Sequence, residues 1–78
     1  MPTVLRSGPY RVFFYSNEDD EPPHVHVQRD DRIAKFWLDP VAVASNNGFA
    51  KRELTRLLWL VSTNRRALLE AWYAHFPF

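Results

Sequence analysis

Cysteine is absent from this 78-residue chain and glycine occurs only twice. Without a thiol there can be no disulfide, no thiolate nucleophile and no zinc–thiolate site, which fits a reducing compartment. The glycine-rich loops that cradle phosphates are missing, as are the G-x-S-x-G elbow and the H-E-x-x-H helix. No apolar run approaches the roughly 18 residues that a membrane span needs. The opening Met1-Pro2-Thr3-Val4-Leu5-Arg6 carries no apolar stretch of signal length. The expectation is a soluble, cytoplasmic protein with no membrane partner.

A strong charge of one sign is also lacking. The net charge is +1, far from the basic excess of a dedicated duplex binder. Its distribution is uneven: residues 1–39 hold seven acids and five bases (−2), and residues 40–78 hold two acids and five bases (+3). A length of 78 residues gives one α+β domain, residues 1–78, with room for one modest core. Twelve aromatic residues are more than such a core hides along with its leucines and valines, so part of the aromatic surface is expected at an interface.

Tyr10 to Ser16 is β-branched or aromatic at most positions and reads as a strand, bounded by Gly8-Pro9 and by a polar run from Asn17 to Glu21. The four acids Glu18 to Glu21 read as a solvated loop, and Pro22-Pro23 returns the chain to extended form. His24 to Arg29 and Arg32 to Leu38 are the next strands, joined by an Asp30-Asp31 turn that lacks the usual glycine. Counting outward from that turn pairs Arg29 with Arg32, His26 with Lys35, Val25 with Phe36 and His24 with Trp37. Side chains alternate along a strand. Val25, Val27, Ala34, Phe36 and Leu38 therefore face a core, while His24, His26, Lys35 and Trp37 share the opposite, working face.

A further short strand is expected over Val41–Ser45, followed by an Asn46-Asn47-Gly48 turn. From Lys51 the period becomes helical. Leu54, Leu57, Leu58, Val61, Leu68 and Trp72 fall on one side, predicting one long, bent helix over about residues 50–75, the lesser alternative being a break at Ser62-Thr63-Asn64 into two helices with Asn64 as the second cap. Ala50 with Glu53 resembles a capping box that has lost its hydroxyl. Arg52, Arg56, Trp59, Thr63, Arg66 and Glu70 line the opposite side. Three arginines around a tryptophan suit an acidic partner or nucleic acid, and the alternative buries Trp59 against a further surface.

Imidazole titrates near neutral pH, so two on one face can move protons, grip an anion or bind metal. With Lys35 alongside, His24 and His26 form a generic catalytic kit for metal-independent RNA cleavage, in which an ammonium keeps a histidine neutral and cations hold phosphate charge. No cofactor is required by that chemistry. H-x-H supplies half of a tetrahedral metal site, so a centre completed by a carboxylate or by His75 is the lesser alternative.

Tyr10-Arg11-Val12-Phe13-Phe14-Tyr15-Ser16-Asn17-Glu18, Glu21-Pro22-Pro23-His24-Val25-His26-Val27, Ala34-Lys35-Phe36-Trp37-Leu38 and Leu68-Leu69-Glu70-Ala71-Trp72 together give the chain, almost end to end, a resemblance. It resembles a family of very small bacterial proteins catalogued as domain of unknown function four-one-six-zero. Two departures are visible: Ala50 stands where members often have serine, and Asp30-Asp31 lacks their glycine. Some members are described as toxins of type II toxin–antitoxin pairs, so the resemblance implies a toxin neutralised by a small antitoxin-like protein encoded nearby; the face bearing His24, His26 and Lys35 adds the expectation that it acts on RNA or the ribosome. A homodimer and a non-catalytic binding module built on Arg52, Arg56, Trp59 and Arg66 are the open alternatives.

Overall fold

A computed structural model describes residues 3–18 and 20–76. The chain forms strands β1 (Thr3–Ser7), β2 (Tyr10–Phe13), β3 (His24–Arg29), β4 (Arg32–Leu38) and β5 (Val41–Asn47). Helices α1 (Lys51–Thr63) and α2 (Arg65–His75) follow. The strands make an antiparallel meander in the order β1-β2-β3-β4-β5, and the helices cover one face. The fold is the α+β arrangement read from the sequence, with β1 added to the expected strands. That first strand hairpins onto β2 through Gly8, whose φ of 56° is the left-handed conformation glycine adopts without a Cβ clash.

The β3–β4 register is the one obtained by counting from Asp30-Asp31: His24 pairs with Trp37, Val25 with Phe36, His26 with Lys35 and Val27 with Ala34. Asp30 takes φ 55° in place of the absent glycine; aspartate is one of the few residues that tolerates this region. The strand expected to reach Ser16 ends at Phe13. Beyond it Phe14 joins Trp72 and Phe76 in a second aromatic cluster.

Alternation then builds the core. Val12, Val25, Val27, Ala34, Phe36 and Leu38 from the sheet meet Phe49, Leu57, Val61 and Leu68 in one buried cluster. At about 1.5–3 kcal/mol for each fully buried large side chain, this cluster is the main favourable contribution to folding. Polar contacts decide how the helices sit on it. Arg65, which interrupts the apolar stripe, donates from Nε to the Leu38 carbonyl at 2.7 Å and pairs with Asp39 at 2.9 Å, tethering α2 to the end of β4.

The helical segment is divided rather than continuous. Asn64 has φ −103° and ψ 11° between α1 and α2, although its N–H still reaches the Leu60 carbonyl and its own carbonyl still accepts from Leu68. Its side-chain amide also donates to the Leu60 carbonyl, at 2.9 Å, the local competition with helix geometry that asparagine introduces. Asn64 does not cap α2 through its side chain. Among the described residues, no helix is long and apolar enough to cross a membrane.

Glu53 does not complete a capping box. From the first turn of α1 it accepts from Tyr10 Oη at 2.5 Å, Arg29 at 2.8 Å and Arg32 at 3.4 Å, joining the helix to β2, β3 and β4. The Tyr10 and Arg29 hydrogen bonds, followed by the charges of Arg29 and Arg32, hold its carboxyl below the usual 4.5 against the opposing effect of burial. A carboxyl depressed in the folded chain stabilises fully above its unfolded value, and that contribution is lost as pH falls through the lower native value. Glu53→Gln is therefore expected to lower the melting temperature at neutral pH and to flatten the acid limb below about pH 4.5. Thermal denaturation across that range checks this, and an unaltered acid limb would contradict it.

Candidate functional site

The sheet face turned away from the main core carries Phe13, His26 and Lys35 side by side, because Phe13 pairs with His26 and His26 with Lys35. One pair along, His24 lies beside Trp37, the rings edge-on at 5.7 Å. His24, His26 and Lys35 thus share one face. Their surroundings differ from an open, wet surface. Phe13 is buried and stacks on the His26 imidazole at 5.4 Å with 28° between the planes. His24 is 0% exposed, wedged against Trp72 at 4.9 Å.

The cover comes from the segment between β2 and β3. Of its acids, Asp20 is exposed and Asp19 lies outside the described residues. Glu18 is not simply solvated but turns inward, and Glu21 stays half-exposed while engaging the strand. Glu18 Oε1 accepts the Tyr15 N–H at 2.9 Å, and both carboxylate oxygens lie 3.1 Å from His26 Nε2. Glu21 pairs with Lys35, whose ammonium also sits 4.6 Å over the Trp37 ring. Pro22 and Pro23 shape the return: the Pro23 carbonyl accepts from the Leu38 N–H at 3.0 Å, and the Pro22 carbonyl lies 2.9 Å from His24 Nδ1.

These contacts set the protons. A carbonyl only accepts, so His24 Nδ1 is the donor to Pro22 and carries hydrogen. Burial pushes His26 below its usual value, helped by His24 and Lys35 and opposed by Glu18. The expected effect of the Lys35 ammonium is present but smaller than that of desolvation. Glu18 also lies below its usual value: burial is the largest single effect and raises it, but the hydrogen bond from the Tyr15 N–H and the closeness of the His24 and His26 rings outweigh burial. The pair is therefore an ionised Glu18 and a neutral His26 that donates Nε2–H to it.

His24 Nε2 is 2.9 Å from Glu18 Oε2, yet this buried nitrogen has no hydrogen-bond partner of acceptable geometry. With Nδ1–H donated to the Pro22 carbonyl, Nε2 is the ring atom turned toward the carboxylate, close to it but out of hydrogen-bonding alignment.

His75, the other histidine, packs on Phe14 at 5.4 Å and on Phe76 at 4.7 Å, outside the Glu18–His24–His26 group. The helix residues Arg52, Arg56, Trp59 and Arg66 are all exposed on the outer side of α1 and α2, away from the core cluster. Trp59 is 72% exposed, and Tyr73 continues the stripe at 54%. None of Arg52, Arg56 and Arg66 has an ion pair among the described residues. Glu18, Glu21 and the Pro22 carbonyl were not singled out by sequence reasoning. The available signal was a ten-residue segment between paired strands carrying acids immediately ahead of two prolines.

No curated protein and no solved structure matches this chain. Residues 10–73 match the family defined by the domain of unknown function DUF4160, a span that contains β2 to β5, Glu18 and Glu21, both strand histidines and nearly all of the two helices. The chain belongs to that family.

Proposed function

We propose that this protein is the toxin component of a two-protein toxin–antitoxin module, working in the cytoplasm on RNA or on translation through the face that bears His24, His26 and Lys35. The observation that supports this reading is the convergence of a carboxylate, a neutral imidazole and an ammonium on one partly covered face. In register, His26 and Lys35 are direct cross-strand neighbours. Their side chains retain 12% and 19% exposure, enough for a substrate to touch them once the loop yields.

The roles divide by burial. His24 is enclosed and acts by positioning its neighbours. His26 with Glu18 handles protons, a neutral imidazole backed by a carboxylate being the usual acid–base pair near pH 7. Lys35 holds phosphate charge, with the phosphate taking the place of Glu21, its more exposed partner. Glu21 thereby keeps the site closed to anions that cannot displace it.

A second surface supports the module reading and, taken alone, the non-catalytic alternative. Arg52, Arg56 and Arg66 surround the exposed Trp59, a desolvatable aromatic anchor within positive charge, which suits a small acidic antitoxin-like protein.

Expression of wild type is expected to arrest growth, and His26→Ala, Lys35→Ala and the His24→Ala/His26→Ala/Lys35→Ala triple variant are expected to abolish arrest while near-ultraviolet dichroism shows a packed fold. Toxicity of the folded triple variant equal to wild type would refute the assignment. For the helix face, Trp59→Ala should weaken capture of the partner by at least about tenfold and change stability by no more than about 0.5 kcal/mol. Trp72→Ala should instead cost about 3–5 kcal/mol. Pull-down and thermal melts separate the two, and a comparable loss of stability for both tryptophans would place Trp59 in the core.

A further inference from the structure

We infer that Glu18, His24 and His26 form a binding site for a divalent first-row transition-metal ion, with zinc the expected occupant. This rests on the location of the working site proposed above, not on RNA as its substrate.

The donor atoms are already gathered. One oxygen of Glu18 and one nitrogen from each histidine lie within 4.8 Å of one another. The Glu18 oxygens stand 2.9 Å from His24 Nε2 and 3.1 Å from His26 Nε2. Tetrahedral ligands held at about 2.0–2.1 Å from zinc are separated by roughly 3.3 Å. The two Glu18 contacts already stand near that separation, and seating the ion requires the donor atoms to draw together from within 4.8 Å. Two imidazoles and one carboxylate are a nitrogen and oxygen set suited to zinc, cobalt, nickel or iron rather than to calcium or magnesium, which prefer oxygen alone.

The second observation is independent of the clustering. His24 is wholly buried, and its Nε2 is a polar atom with no hydrogen-bond partner, aimed at the carboxylate. Burying an unsatisfied polar atom is costly. A metal ion seated between Nε2 and the carboxylate gives that nitrogen a partner and recruits His26 as well.

The surrounding contacts are those a metal centre uses. A metal-binding histidine commonly donates its other ring N–H to a carbonyl, which fixes the tautomer and aims the free nitrogen. His24 Nδ1 does this to the Pro22 carbonyl at 2.9 Å. The Glu18 carboxylate is oriented in the same manner by the Tyr15 N–H on Oε1, which leaves Oε2 toward His24. Trp72, Phe13 and Trp37 pack against the two imidazoles and hold their planes. Glu18 is thus a ligand supplied by the loop, and His24 and His26 are ligands supplied by the beginning of the central strand β3.

Three protein ligands leave a fourth position for water, the arrangement of hydrolytic rather than purely structural zinc sites. With the ion seated, His26 Nε2 is a ligand, and activation of water passes from the imidazole to the metal. Lys35 remains beside it as the cation for an anionic substrate.

The test uses the untagged full-length protein, stripped with chelator and titrated with Zn2+ by calorimetry and with Co2+ by visible absorption. Wild type is expected to bind one ion per chain, to give the d–d bands of a four- or five-coordinate cobalt centre, and to melt at a higher temperature with zinc. Glu18→Gln and His26→Ala, which alter a loop carboxylate and a partly exposed ring, are expected to weaken binding by at least about a hundredfold. His75→Ala should leave it unchanged. The inference is overturned if wild type takes up neither ion at millimolar concentration, if Glu18→Gln and His26→Ala bind as wild type does, or if His75→Ala abolishes binding. Growth arrest is scored separately: loss of metal binding with retained toxicity in Glu18→Gln refutes a metal role in toxicity, whereas a metal-binding protein without toxicity refutes only the toxin reading.

Discussion

The antiparallel ladder between β3 and β4 governs most of what this protein is. Six cross-strand pairs, from His24–Trp37 to Arg29–Arg32, set the alternation of both strands at once. Val25, Val27, Ala34, Phe36 and Leu38 are sent into the main core, and His24, His26, Lys35 and Trp37 to the opposite face. A slip of one residue would exchange the two sets, burying an ammonium and exposing a phenylalanine. The apolar face and the polar face therefore enforce each other, and the chemistry on one is positioned by the packing on the other.

Two glutamates then fasten this sheet to the rest of the chain in different ways. Glu53 reaches down from α1 to Tyr10, Arg29 and Arg32 near the β3–β4 turn. Glu18 reaches in from the β2–β3 segment to the histidines at the beginning of β3. Glu53 meets fixed positive charge and a hydroxyl and is fully served. Glu18 meets two imidazoles, one of them neutral and one with its nitrogen unpartnered, so its charge is only partly answered. The same residue type is a structural clamp at one site and a candidate ligand at the other because of its partners.

The site and the helices meet at Trp72. Its indole packs on His24 at 4.9 Å and on Phe14 at 5.3 Å, so the inner side of α2 forms one wall of the imidazole cluster. The outer side of the helical pair carries Arg52, Arg56, Trp59, Arg66 and Tyr73. A protein of 78 residues has little material to separate recognition from chemistry. Here the two surfaces are opposite sides of the same helical layer.

Local periodicity alone carried the paired strands 24–29 and 32–38 with their register and the buried stripe through Leu57, Val61, Leu68 and Trp72, whereas of the two readings open for Trp59 the tertiary structure selected the exposed one. Side-chain alternation at period 2 and the helical repeat are properties of the backbone, so they can be counted along the chain. The first strand was hidden because Thr3–Ser7 is short, and its pairing depends on the Gly8 turn. The division at Asn64 was hidden because its apolar neighbours stay in helical phase across it. Tertiary structure alone decided that Glu18 turns inward to His24 and His26, that Glu21 occupies Lys35, and that Trp72 closes over His24. Those contacts join residues whose spacing follows no repeat, and a carboxylate in an acidic loop has no local preference for water over a buried imidazole until the fold brings the imidazole to it.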